Sequence, residues 1–350
     1  MKTAVTELLG IEHPIILAAM AWVTDAGMVA AISRAGALGT LGPNAGHREA
    51  TRDVHETGER LREQIRRVRA LTDRPFAVNF VVGAAGLDKA FSERCIEVGI
   101  EERVPVGIVS QGSPEAHTVR LKKAGMKVIH VCAAVKHAKK AEQVGVDAVV
   151  ASGTDGGGHS GFDQNTTLCL VPQVVDAVKI PVIAGGGIAD GRQIFAALAL
   201  GAAGVYMGTR FLATAECPAH AEYKRAILDS RDGDTIAIRH GMVSKHGSGN
   251  RGFNAERRGS LRILLNDRIR DLLAEHSGNL TYEILSQSFS APKQGGGSAT
   301  AASLVHGESE SGSFAAGQGV GLIREVLPCK DLVERLIAEA ERARERCAAI

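Results

Sequence analysis

Short apolar runs alternate with longer helical patterns from the N-terminus to about residue 230, and this alternation leaves few folds open to the chain. The runs cover residues 15–20, 38–41, 76–82, 104–109, 127–131, 147–151, 181–184 and 204–207. Helical patterns fall between them at 26–34, 47–71, 87–98, 114–124, 133–144, 172–178 and 191–200. Strands that read as continuous apolar runs, each followed by a helix, imply a parallel sheet covered by helices. Eight of them predict an α/β fold, a closed (β/α)8 TIM barrel. An open dinucleotide-binding sheet would place a glycine fingerprint after the first strand. Here Ala18-Ala19-Met20-Ala21-Trp22 stands in that place. In a barrel the site forms at the C-terminal strand ends, and phosphate often docks after the seventh and eighth strands.

The alternation breaks after residue 230. We expect a barrel from 1–230 and 315–350, with 231–314 inserted as a smaller, mostly helical and loop region covering the substrate. Within it, helical pieces are expected near 260–276 and 280–288, followed by a Gly/Ser-rich stretch over 295–319. That stretch reads either as a linker or as a loop returning over the barrel mouth. A final helix over 330–347 carries Leu332, Leu336 and Ile337 on one face, suited to packing on the barrel or to a homodimer contact.

The formal net charge of +2 and the lack of a basic face with interleaved aromatics argue against nucleic acid as a partner, leaving a small-molecule substrate. Six cysteines are scattered without a CxxC pair, which points away from zinc and disulfides and towards a reducing compartment. The first apolar stretch meets Asp25 too early for a signal peptide or membrane span, so the cytoplasm is the expected location.

Glycines then mark where chemistry sits. Gly153-Thr154-Asp155-Gly156-Gly157-Gly158-His159-Ser160-Gly161 follows the sixth run, and Gly185-Gly186-Gly187 follows the seventh. Glycines at strand ends let backbone N–H groups approach a ligand closely. With Met207-Gly208-Thr209-Arg210 after the eighth run, they form a candidate phosphate cradle, Thr209 adding a hydroxyl. His159 is the one titratable side chain within residues 156–161, and an imidazole is the natural proton acceptor near neutral pH. Asp155 can orient it or cap the turn. No acidic pair, Ser-His-Asp arrangement or metal-spaced histidine cluster is present, so no metal is expected. Asn79, inside an apolar strand, and Gln111, after the fourth, either satisfy nearby backbone or reach a polar heterocycle. A cofactor that is anionic at one end and hydrogen-bonding at the other would use all of these, which describes FMN.

These stretches together resemble the nitronate monooxygenase family of FMN-dependent barrels, formerly called 2-nitropropane dioxygenases. The resemblance spans nearly the whole chain: residues 13–20, 36–42, 75–79, the His159 loop, 183–190, 207–212 and Ala316-Gly317-Gln318-Gly319-Val320-Gly321-Leu322. It implies Ala19, Met20 and Ala21 along the flavin ring, Asn79 hydrogen-bonded to it, and Gly157 and Gly158 facing it. Gly186, Gly187, Gly208 and Thr209 would hold the phosphate, with Gln111, Ser152, Met207 and Gln318 also at the cofactor. His159 matches the family's catalytic base, taking a proton from the carbon beside a nitro group. The implied reaction consumes O2 and yields a carbonyl compound and nitrite. Ser152 stands where the family usually has Gln, and related barrels of the same architecture use NAD(P)H to reduce quinones or an enoyl thioester.

Overall fold

The computed structural model describes residues 1–83, 86–239, 259–289, 294, 298–309 and 312–349. In chain order the strands are β1 (Ile15–Leu17), β2 (Gly39–Leu41), β3 (Phe76–Val81), β4 (Val106–Ser110), β5 (Lys127–Cys132), β6 (Ala148–Ser152), β7 (Gly158–Ser160), β8 (Val182–Gly185), β9 (Gly204–Met207), β10 (Thr235–Arg239) and β11 (Ser260–Leu264). The helices are α1 (Ala4–Leu9), α2 (Ala26–Arg34), α3 (Val54–Leu71), α4 (Gly86–Glu101), α5 (Thr118–Lys123), α6 (Val135–Val144), α7 (Thr167–Val175), α8 (Gly191–Ala199), α9 (Thr209–Leu212), α10 (Ala221–Asp229), α11 (Asp267–Glu275), α12 (Tyr282–Ser288), α13 (Ala299–His306) and α14 (Cys329–Ala348). Short 3₁₀ turns lie at Pro114–Ala116 and Gln318–Leu322.

Eight parallel strands run in the order β1-β9-β8-β6-β5-β4-β3-β2. A parallel bridge between Ile16 and Leu38 brings β1 back to β2, supported by the Leu17 N–H donating to the Leu38 carbonyl at 2.9 Å. This is the (β/α)8 arrangement. Residues facing the axis, including Ile16, Leu38, Ala77, Ile108, Ile129, Val150 and Ile183, form an inner core. Helix α1 plugs its lower end with Val5 and Leu9. Thr3 caps that helix by accepting from the Thr6 N–H at 3.3 Å and ties it to the barrel by donating to the Ala203 carbonyl at 2.6 Å. A second, larger apolar shell lies between the strands and the helices. Helix α14 belongs to it, burying Leu332, Val333, Leu336 and Ala340. It lies so close to α8 that a Cβ on Gly191 would stand 2.3 Å from the Leu336 carbonyl oxygen.

Four local expectations change. Residues 260–264 form a strand and not the start of a helix, because Ser260 and Arg262 take polar partners in β7 and its flanking turn. The histidine segment is likewise a strand, β7, in the antiparallel sheet β10-β11-β7. Helix α7 begins at Thr167, with Pro172 inside it, where the sequence suggested a start at the proline. Within the Gly/Ser-rich stretch, Ala299–His306 is helical with Ser298 as N-cap. The described part of residues 231–314 has its own apolar cluster, made by Ile238, Leu261, Ile263, Ile269, Leu272, Leu280 and Leu285. No helix among the described residues is long and apolar enough to cross a membrane.

Candidate active site

A cavity of about 1210 Å³ opens at the C-terminal ends of the barrel strands. Ala19, Met20, Ala21, Asn79, Gln111, Ser152, Gly157, Gly158, His159, Gly186, Gly187, Gly208 and Thr209 all line it. Two expected residues do not. Met207 points outward into the shell beneath the helices, because successive strand residues face opposite ways and Tyr206 takes the inward position. Gln318 is exposed on its 3₁₀ turn, and only its backbone serves the site, donating to the Asp155 carbonyl at 2.8 Å.

One wall of the cavity carries almost no side chain beyond a methyl group: Ala18, Ala19, Ala21, Gly156, Gly157, Gly158, Gly186, Gly187 and Gly208. At Gly208 an added Cβ would stand 3.5 Å from the Ala18 Cβ and 3.6 Å from the Met20 Sδ; at Gly158 it would meet nothing within 4 Å. The turn after β8 is tighter. Gly186 and Gly187 have φ of 109° and 69°, and the Thr167 hydroxyl lies 3.0 Å from both the Gly185 and Gly186 carbonyls. Thr209 Oγ1 accepts from the Gly317 N–H at 3.0 Å, leaving its hydroxyl proton to donate elsewhere. A lining of glycines and methyl groups that ends in a glycine turn leaves room for a planar ring with a phosphate tail.

Asn79 resolves in favour of local satisfaction for its amide hydrogens. Its Nδ2 donates to the Ile108 carbonyl at 3.0 Å and to Ser110 Oγ at 3.1 Å. The residue still borders the cavity, so its amide oxygen retains acceptor capacity there. Gln111 follows with φ of 60°, a left-handed conformation that is uncommon for a residue with a side chain. Asn79 and Gln111 also border a second cavity of about 390 Å³.

His159 stands on β7, opposite Leu261 of β11. Its ring centroid lies 6.1 Å from that of Tyr282 at an angle of 58°. Side chains from β10, β11 and the loop after β7 hold the strand and the turn before it. Ser160 and Ser260 share a hydrogen bond of 2.8 Å, and Gln164 donates to Ser260 at 3.0 Å. Arg262, 7% exposed, donates from Nε to the Thr154 carbonyl at 2.8 Å and from an outer guanidinium nitrogen to Thr235 at 3.1 Å. Burial lowers its pKa, and Asp155 partly opposes that. Asp155 itself accepts from the Thr167 N–H at 2.5 Å, which serves the turn into α7.

Tyr206 and His130 are site residues that the sequence did not single out. The Tyr206 hydroxyl accepts from the Ala19 N–H at 3.0 Å, and burial pushes its pKa up to about 12. Inward alternation in the eighth strand was the available signal. His130 borders the cavity from β5, only 4% exposed, with no hydrogen-bond partner for Nδ1 among the described residues. A polar residue inside an apolar run was its signal, as it was for Asn79. Burial, aided by the nearby His137, lowers its pKa to about 4. The unfolded chain binds this proton more readily, so stability falls as pH drops below ~6.5 and the loss is complete only below the folded value. Going from pH 7 to 4.5 is expected to cost ~2 kcal/mol through His130. In urea unfolding at both pH values, His130→Leu should lose that share of the dependence; unchanged pH sensitivity would refute the assignment.

A barrel with this glycine wall and a histidine over its mouth defines a flavin-type oxidoreductase. The chain belongs to the nitronate monooxygenase family, whose sequence profile it matches over residues 2–339. It is 37% identical to the (3aS,4S,5R,7aS)-5-hydroxy-7a-methyl-1-oxo-octahydro-1H-indene-4-carboxyl-CoA dehydrogenase of Mycobacterium tuberculosis, over 97% of this chain and 96% of that protein. It is 36% identical to a probable nitronate monooxygenase of Staphylococcus saprophyticus, over 67% of this chain and 75% of that one. The solved structure of FabK from Thermotoga maritima superposes with a TM-score of 0.81 at 35% identity, covering 100% of this chain and 99% of the other.

Proposed function

We propose that the chain is an FMN-dependent oxidoreductase acting at the carbon next to an acyl-thioester carbonyl. Cavity size carries this reading. At about 1210 Å³ it exceeds the ~300–1,000 Å³ typical of a pocket for one drug-sized ligand. A flavin mononucleotide would fill part of this space, and what remains can take a substrate larger than a nitroalkane. The CoA-thioester dehydrogenase of M. tuberculosis, similar along nearly the full length, supports the same substrate class.

Gly186, Gly187, Gly208 and Thr209 would hold the phosphate; Ala19, Ala21, Gly157 and Gly158 would lie along the ring, with the Asn79 amide oxygen at its edge. The flavin, when bound, would supply the two-electron exchange, as hydride at Cβ, that forming or saturating a Cα=Cβ double bond requires. His159 takes or returns the proton at Cα, a carbon made acidic by the adjacent carbonyl. Arg262 and Ser260 fix the strand that presents it. Helices α12 and α13, which contribute Tyr282, Ser303 and Leu304 to the lining, shield the reacting carbon from water.

Oxidation of alkyl nitronates or nitroalkanes by O2 is the second reading, favoured by the family profile. For nitroalkanes it needs the same base beside a similarly acidified carbon, whereas nitronates arrive deprotonated. Anaerobic mixing of flavin-loaded protein with a saturated carbocyclic CoA thioester should bleach the flavin absorbance. Nitrite release and O2 uptake with propionate 3-nitronate, without bleaching by any thioester, would decide for the second reading.

A further inference from the structure

We propose that a side arm of the cavity, between the loop after β4 and helix α6, receives the pantetheine arm of a coenzyme A thioester, and that Lys136 and Lys139 take its phosphates. The inference rests on the thioester reading above. On β5, Ile129 and Val131 face the barrel axis, whereas Val128 and Cys132 belong to the outer shell. His130 shares the outward side, yet it lines the main cavity together with Pro114, Ala133, His137 and Lys140. The cavity therefore leaves the barrel axis here and runs out over β5 to the surface at α6.

The walls of this arm suit a chain of amides ending in phosphate. At its floor is the His130 imidazole, buried and with Nδ1 unpartnered, which an amide of the arm would satisfy. Helix α6 starts at Val135, and its N-cap Ala134 gives no side-chain cap, so the positive end of the helix dipole lies beside the arm with the Val135 and Lys136 N–H groups uncapped by a side chain. Lys136, Lys139 and Lys140 project from the first two turns. Lys140 is paired with Glu115 at 2.5 Å, while Lys136 and Lys139 have no acidic partner within 4 Å among the described residues. An arm of this length and polarity is superfluous for a nitroalkane.

Calorimetric titration of the flavin-loaded protein with coenzyme A, dephospho-coenzyme A and pantetheine tests this directly. Coenzyme A is expected to bind ~30-fold more tightly than pantetheine at low salt, dephospho-coenzyme A in between, with the gap shrinking as salt rises. The double variant Lys136→Glu/Lys139→Glu should collapse that gap. His130→Phe, which fills the arm, should weaken both coenzyme A and pantetheine ~10-fold. Equal affinities for coenzyme A and pantetheine, or a gap that survives the double variant, would overturn the inference. Turnover of an acyl-cysteamine thioester with no preference for the CoA form would also overturn it while leaving the thioester reading intact. Failure of every thioester to reduce the flavin would instead remove that reading.

Discussion

His159→Asn is expected to retain fold and flavin but to slow reactions that begin with loss of a proton from carbon by ~10²–10⁴-fold. Retention follows from position. The side chain is exposed on β7, and that strand is held by its backbone pairing with β11 and by Ser160. Asparagine keeps a polar side chain of similar reach without a basic nitrogen. For a saturated thioester the fall should appear in kcat and in the exchange of Cα hydrogen with deuterated water. A comparison within the nitro compounds isolates the proton step: neutral nitroalkanes should suffer the full loss, whereas nitronates, already deprotonated, should lose much less. Equal losses on both would mean that His159 positions substrate or stabilises charge, and that the base lies elsewhere.

Which features the sequence revealed depended on how far apart in the chain their causes lie. Strands buried on both faces announce themselves as apolar runs, and the eight barrel strands appear within a few residues of where they were expected. The glycine wall was legible for a related reason, since close backbone approach requires glycine locally. β7 was not legible. Nothing in Gly158-His159-Ser160 indicates a strand; its partner is Ser260–Leu264, a hundred residues on, and only the fold brings the two together. The same distance hid Arg262, whose role depends on the Thr154 carbonyl. Residues 260–276 were expected to be helical throughout; pairing of 260–264 with β7 and β10 makes that part a strand, a tertiary effect that local pattern does not carry. The family resemblance implied Met207 at the cofactor, although strand alternation turns its side chain away from the cavity.

Gly186→Ala should disable the cofactor end of the site without touching the histidine. Gly186 has φ of 109°, beyond the left-handed well that other residues occasionally use, so alanine there carries backbone strain of ~1–3 kcal/mol. Its Cβ would stand 2.6 Å from Thr167 Oγ1 and 2.8 Å from the Gly153 carbonyl oxygen. Neither can withdraw freely. The Thr167 hydroxyl is engaged with the Gly185 and Gly186 carbonyls, and the Gly153 backbone is held by its N–H donating to Gly185 at 2.8 Å. The turn must therefore move outward and give up one or more of these bonds, at ~1 kcal/mol each, for a total near ~3 kcal/mol. Flavin affinity is expected to drop by at least ~10-fold, because the displaced amides are those we propose for the phosphate. Gly145→Ala provides the control: its φ of 93° is also left-handed, but its Cβ would meet no described residue within 4 Å and it lies outside the cavity. Absorbance of retained flavin and the thermal midpoint, measured on both variants, should separate them, with Gly186→Ala the more damaged in each. If Gly186→Ala instead purified as yellow and as stable as the unsubstituted protein, the turn after β8 would not be the phosphate cradle.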